Sequence, residues 1–99
     1  MNPKYLGYCD KKYENWIRKQ PCIICQRTEG IHAHHMFHAR RNSYLCVPLC
    51  VEHHMPGFPD SYHHLEAKKF EERHNISCEW EVIKKLSEYI SRGLEQGEG

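Results

Sequence analysis

The sequence predicts a small α+β domain pinned by a metal ion, and three observations carry that prediction. The chain has 99 residues, enough for one domain with a thin core, a size at which a metal or disulfide often supplies the missing stability. It holds six cysteines and nine histidines, and they are crowded. Eight of the nine histidines lie between His32 and His64, and four of the six cysteines between Cys22 and Cys50. Helix-period patterns at both ends flank a middle third of strand composition.

The elements follow in order. Tyr13, Trp16 and Ile17 recur at helical spacing over Lys11 to Lys19, with Asp10 as N-cap and Pro21 as the stop. The knuckle Cys22-Ile23-Ile24-Cys25 comes next, then a polar turn ending at Gly30. Ile31 to Met36 and Tyr44 to Pro48 read as strands, joined by the polar, basic loop from Phe37 to Ser43. Leu49 to Met55 fits a short helix ended by Pro56, and Pro56-Gly57-Phe58-Pro59 is a turn. Asp60 or Ser61 caps a helix running to about Asn75, with Leu65, Lys69 and Phe70 along its side. Ser77 caps a last helix in which Val82, Ile83, Leu86, Tyr89 and Ile90 form a core-facing stripe and Gly93 closes the element. The chain thus divides into an N-terminal helical segment (1–20), a knuckle-and-strand core (21–58), C-terminal helices (60–93) and a frayed tail (94–99).

Charge and hydropathy narrow the function classes. The formal net charge of +1 hides an asymmetry. Residues 1–50 carry eight Lys/Arg against three Asp/Glu, or +5, while residues 51–99 carry six against ten, or −4. The basic half holds most of the Cys/His cluster, and a basic face beside a metal site suits a polyanion. No apolar run approaches the roughly 18 residues that cross a bilayer. Met1-Asn2-Pro3-Lys4-Tyr5 leads into no apolar stretch, so a cytoplasmic chain is expected, in which thiols stay reduced. A disulfide between Cys9 and Cys78 stays open as an alternative use of those two residues.

Cys22-x-x-Cys25, followed by Cys50-x-x-His53, supplies four ligands in two knuckles. Zinc takes four thiolate or imidazole ligands in a tetrahedron, and a two-residue gap lets both side chains of a knuckle reach one ion. Such a closed site contributes folding free energy. Cys46 falls inside a strand and reads as a small core residue.

Zinc uses one histidine, leaving His32-Ala33-His34-His35 and His54 beside the same frame. The series Cys22-x-x-Cys25, Ala33-His34-His35 and Val47-Pro48-Leu49-Cys50-x-x-His53-His54 resembles the treble-clef branch of the HNH (His-Me finger) endonucleases, small phage and prophage nucleases above all. The resemblance spans about residues 16–76. It implies a zinc-stabilised ββα-metal fold with flanking helices, which hydrolyses DNA at one divalent ion such as Mg²⁺ or Mn²⁺ in a bacterial or phage-infected cell. By position, His35 is the general base, and His34 and His54 are ligands of the catalytic ion. Imidazole titrates close to neutral pH and suits the base, while an ion with open positions stabilises charge on the phosphate. Arg27, Arg40 and Arg41 would contact phosphates without reading sequence. A double-strand cut would imply a homodimer.

The chain departs from the family pattern in three places. The middle Asn of the pattern has no clean counterpart, although Asn42 and Ser43 lie near its place. A further metal-binding His expected one helical turn after His54 is replaced by Phe58, with His63 or His64 as candidate substitutes. His34 and His35 are adjacent, and a regular strand sends neighbours to opposite faces. They serve one site only if the strand ends or bulges there; otherwise His32 and His34 share a face and His35 is not the base. Three other readings stay open. They are a zinc-stabilised nucleic-acid-binding module without catalysis, a zinc adaptor that binds protein through the acidic half, and a Cys22/Cys25 redox pair. His74, at a helix end, reads as a surface residue.

Overall fold

A computed structural model describes residues 9–38 and 42–95, with the side chains of His38 and of residues 94–95 excepted. It is a mixed helix and two-strand structure. Helix α1 (Lys11–Arg18) precedes strand β1 (Ile31–His35), strand β2 (Cys46–Cys50), the one-turn helix α2 (Val51–His54), α3 (Tyr62–His74) and α4 (Cys78–Glu95). Short 3₁₀ turns, Met36–His38 and Ser43–Leu45, bracket the loop between the strands.

The caps explain where the helices begin. Asp10 accepts from the Tyr13 N–H at 3.0 Å, and Ser61 from the His64 N–H at 3.2 Å. Ser77 accepts from the Trp80 N–H at 3.2 Å. Each satisfies an amide that the first turn leaves without a partner. Helix α3 ends on Asn75 in the left-handed region (φ 54), a common stop for a residue whose short polar side chain tolerates it. Within α3, Glu66 (φ 65, ψ 172) breaks the regular backbone, so the first turn and the remainder are separate helical pieces.

The strands pair antiparallel, Ile31 opposite Cys50 through His35 opposite Cys46. Paired residues share a face. Ala33 and Cys46 therefore face α1 and pack with Tyr13 and Ile17. Val47 and Leu49 face the other way, into a core with Met36, Phe70, Cys78 and Val82. Tyr89 of α4 closes the first layer, its ring 4.9 Å from Tyr13 and 5.1 Å from Trp16. Pro48 is tolerated because a two-stranded sheet has only edges, and its carbonyl accepts from the Ile23 N–H at 3.1 Å, tying the first knuckle to β2.

Several expectations are corrected. The second strand begins at Cys46, since Asn42 caps a 3₁₀ turn by accepting from the Tyr44 N–H and so holds Tyr44 out of the ladder. Helix α4 passes through Gly93 to Glu95. Its apolar stripe is only partly core: Val82 is buried, while Ile83 and Ile90 are exposed, because only one side of α4 meets the sheet. Cys46 is core as expected, and burial pushes its thiol up to about 12. Cys9 and Cys78 are both free, so they form no disulfide. No helix among the described residues is long and apolar enough to cross a membrane.

Candidate metal centres

The first centre is the pair of knuckles. The backbone turns sharply after Cys22, whose N–H donates to the Arg27 carbonyl and whose carbonyl accepts from the Gln26 N–H, both at 2.9 Å. This turn presents Cys22 and Cys25 to the same point. Cys50 ends β2 and His53 lies on α2, so the strand-to-helix corner brings the second pair to meet the first. The sulfurs of Cys25 and Cys50 are 3.6 Å apart, and His53 Nδ1 lies 3.3 Å from Cys50 Sγ and 3.8 Å from Cys22 Sγ. A zinc tetrahedron with bonds of about 2.3 Å to sulfur and 2.0 Å to nitrogen has edges of about 3.8 Å (S···S) and 3.5 Å (S···N). The four side chains can therefore hold a metal ion such as zinc.

Protonation fits that use. Burial pushes the Cys50 thiol up to about 11. Burial acts the same way on Cys25, but hydrogen bonds from the Arg27 backbone and from Cys50 and Cys22 outweigh it, and this thiol sits below its ordinary value. Burial, helped by His74, lowers His53 and keeps its ring neutral at pH 7. An ion entering this site displaces thiol protons. His74 is a correction to the sequence reading. Its ring packs 5.4 Å from His53 and 4.6 Å from Phe70, and its Nε2–H donates to the Asp60 carbonyl at 2.8 Å. It backs a ligand of the first centre.

The second centre is built from imidazoles. One residue beyond His53, His54 turns to the other side of α2. Its Nε2 lies 3.1 Å from His34 Nδ1, and His63, from the first turn of α3, joins them. One ring nitrogen from each of the three lies within 4.8 Å of the others. An ion bound by two nitrogens at about 2.1 Å separates them by about 3.0 Å at a right angle and 3.4 Å in a tetrahedron. The His34–His54 spacing falls between those values. Of the two candidates downstream of the turn, His63 is the one brought in, while His64 points elsewhere and is exposed. His54 is buried enough that its pKa falls to about 4, with His32 and His63 adding to the effect. Its neutral ring is in the form that ligates metal.

His32 was not assigned a role by its sequence position. Its Nδ1 lies 2.7 Å from His54 Nδ1, so one proton is shared between the two rings. When His54 Nε2 ligates, His54 Nδ1–H donates to His32, which fixes the ring orientation of the ligand. The signal was the alternation of the strand, which puts His32 and His34 on one face. Tyr62 packs against His34 with ring centroids 4.2 Å apart and planes tilted by 54°, and it lines the cleft beside it.

His35 is the last residue of β1 and faces α1. Its Nε2 lies 3.8 Å from Glu14 Oε2. It also borders a cleft of about 860 Å³ that His34, His54 and His63 line. The strand ends at His35 and enters a 3₁₀ turn in which Phe37 is left-handed (φ 58). Adjacent histidines on opposite faces thus reach one cleft. Neither residue near the place of the middle Asn hydrogen-bonds His35: Asn42 caps its turn, and Ser43 donates to Glu14.

The basic residues fall differently from the sequence reading. Arg27 is exposed and paired with Glu52 at 3.2 Å, beside the first centre rather than the cleft. Arg40 and Arg41 lie outside the described residues. Lys68 and Lys69, in the half of the chain with net negative charge, line the cleft instead. No family model matches this chain, and comparisons with curated proteins and with solved structures found no similar protein.

Proposed function

We propose that the chain is a metal-dependent DNA endonuclease of the HNH (His-Me finger) type, with a treble-clef zinc site as its staple. The observation that supports this most is the division of labour at His53-His54. One residue completes a Cys/His tetrahedron, and the next joins His34 and His63 at a cleft that His35 also borders. Three protein ligands would leave open coordination positions, which is what separates a reactive site from a structural one.

His34, His54 and His63 would hold the catalytic ion, which when bound stabilises negative charge on the scissile phosphate and the leaving oxygen. His35 takes a proton from water, and the hydroxide attacks phosphorus. The bond from phosphorus to the leaving oxygen breaks, and solvent protonates that oxygen. Lys68 and Lys69 hold the strand at the rim through its phosphates, without reading bases.

Cleavage of supercoiled plasmid by the purified chain tests the reading, with Mg²⁺, Mn²⁺ or EDTA and with His35→Ala alongside. Cutting that requires the added ion and falls about 10²–10⁴-fold in His35→Ala supports it. A folded, zinc-loaded chain that shifts DNA but never cuts it overturns the catalytic reading and leaves a binding module.

A further inference from the structure

The histidine read as the base has a carboxylate behind it, from an element outside the stretch that carries the nuclease motifs. Glu14 lies in the first turn of α1, and its Oε2 is 3.8 Å from His35 Nε2. That carboxylate is held in place. The buried Ser43 hydroxyl donates to the same oxygen at 2.5 Å. The other oxygen, Oε1, takes no part in holding it there: it faces the half-exposed Arg18, 3.6 Å away in an i, i+4 pair along the surface of α1. Ser43 is itself fixed, since its oxygen accepts from the Asp10 N–H at 2.8 Å. The chain of contacts runs from Asp10 through Ser43 and Glu14 to His35, and it joins the N-cap of α1 to the end of β1.

We infer that Glu14 is a positioning residue for His35. It keeps the proton on Nε2, so that Nδ1 presents its lone pair to water in the cleft. This inference rests on the endonuclease reading for its functional meaning. The physical logic is that of any imidazole base oriented by a carboxylate: the carboxylate selects the tautomer and steadies the imidazolium formed when the ring takes a proton. At 3.8 Å the pair is beyond hydrogen-bond reach; for Glu14 to act on His35 the gap must close when substrate tightens the site, as catalytic hydrogen bonds commonly do. Ser43 lies near the place of the missing middle Asn, and through Glu14 it acts on the same ring.

A purely structural Glu14 would serve α1, through its ion pair with Arg18. Three variants separate the two roles: Glu14→Gln, Glu14→Asp and Arg18→Ala. Glu14→Gln is expected to lower kcat roughly 10- to 100-fold, with KM, melting temperature and zinc content near wild type. Glu14→Asp restores part of that loss, and Arg18→Ala leaves the rate unchanged. Long-range ¹H–¹⁵N correlation spectra of the histidine rings give a second readout, independent of turnover. The wild type should show His35 as the Nε2–H tautomer, and Glu14→Gln should show a mixture. Equal rates and an unchanged tautomer in Glu14→Gln overturn the inference, as does an equal loss in Arg18→Ala. If the wild type cuts no DNA under any ion, the endonuclease reading fails by itself. The tautomer spectra then decide the Glu14–His35 link.

Discussion

His53 and His54 are neighbours on one turn of α2, yet they belong to sites of opposite character. The first joins three cysteines in a group of four that can close around a metal ion. The second joins two imidazoles beside a cleft, with a third imidazole, His32, behind it. On the proposed reading, ligand type and closure separate a staple from a reactive centre, and one peptide bond is enough to pass from one to the other. A strand-to-helix corner makes this possible, because successive residues on a helical turn point about 100° apart.

The largest expected effect comes from breaking the first site. Structural zinc in small domains supplies apparent binding free energies of about 10–16 kcal/mol, comparable with the whole stability of a domain. Cys50→Ser, or stripping with a strong chelator, should abolish cooperative unfolding by circular dichroism. His54→Ala should leave it intact. If both variants unfold, the two centres are one structural unit and the contrast collapses.

His32→Ala sharpens the same contrast from behind. Losing an outer partner of a ligating histidine typically costs about 10- to 100-fold in metal affinity. The loss should appear at the imidazole site alone, with zinc content at the cysteines unchanged by elemental analysis.

The rim lysines come next in size. Lys68→Ala combined with Lys69→Ala should weaken DNA binding across sequences and reduce the slope of log K against log salt by about 2. An unchanged slope would move the DNA path away from this rim.

The smallest effect concerns the far end of the network. Asp10→Ala should cost about 1 kcal/mol through the lost cap. Tyr44 and then the Tyr13 N–H hold the Asp10 carboxyl below its ordinary 3.8. A lowered folded-state value means that the unfolded chain binds more protons in that range, so the contribution is complete above pH 3.8 and lost as pH falls through the folded value. Asp10→Asn should therefore flatten the acid limb by lowering the neutral plateau and leaving the stability at the acid end nearly unchanged, as read from urea midpoints at each pH.

The zinc ligands were legible because the relevant spacing is local: two residues within each knuckle decide it. Helices α1 and α3 were legible for a similar reason, their caps Asp10 and Ser61 lying next to their periodic patterns. The second centre was half legible. His34 and His54 sit inside the motif, but His63 is reached across the Pro56–Pro59 turn, and whether it or His64 turns inward depends on the phase of α3. Glu14 gave no local signal, since it and Ser43 are 29 residues apart. On α4 the pattern promised more core than exists: five apolar residues share a stripe, but the sheet and α1 cover only the side holding Val82, Leu86 and Tyr89.

The central claim is that adjacent histidines serve separate metal centres, one for folding and one for phosphodiester hydrolysis. Plasmid cleavage by zinc-loaded His54→Ala, run beside wild type at equal zinc content and equal melting temperature, tests it most directly. The account predicts a folded protein with full zinc at the cysteines and cleavage reduced by at least about 10²-fold. Cleavage at the wild-type rate would contradict it, because the imidazole centre would then have no part in the chemistry.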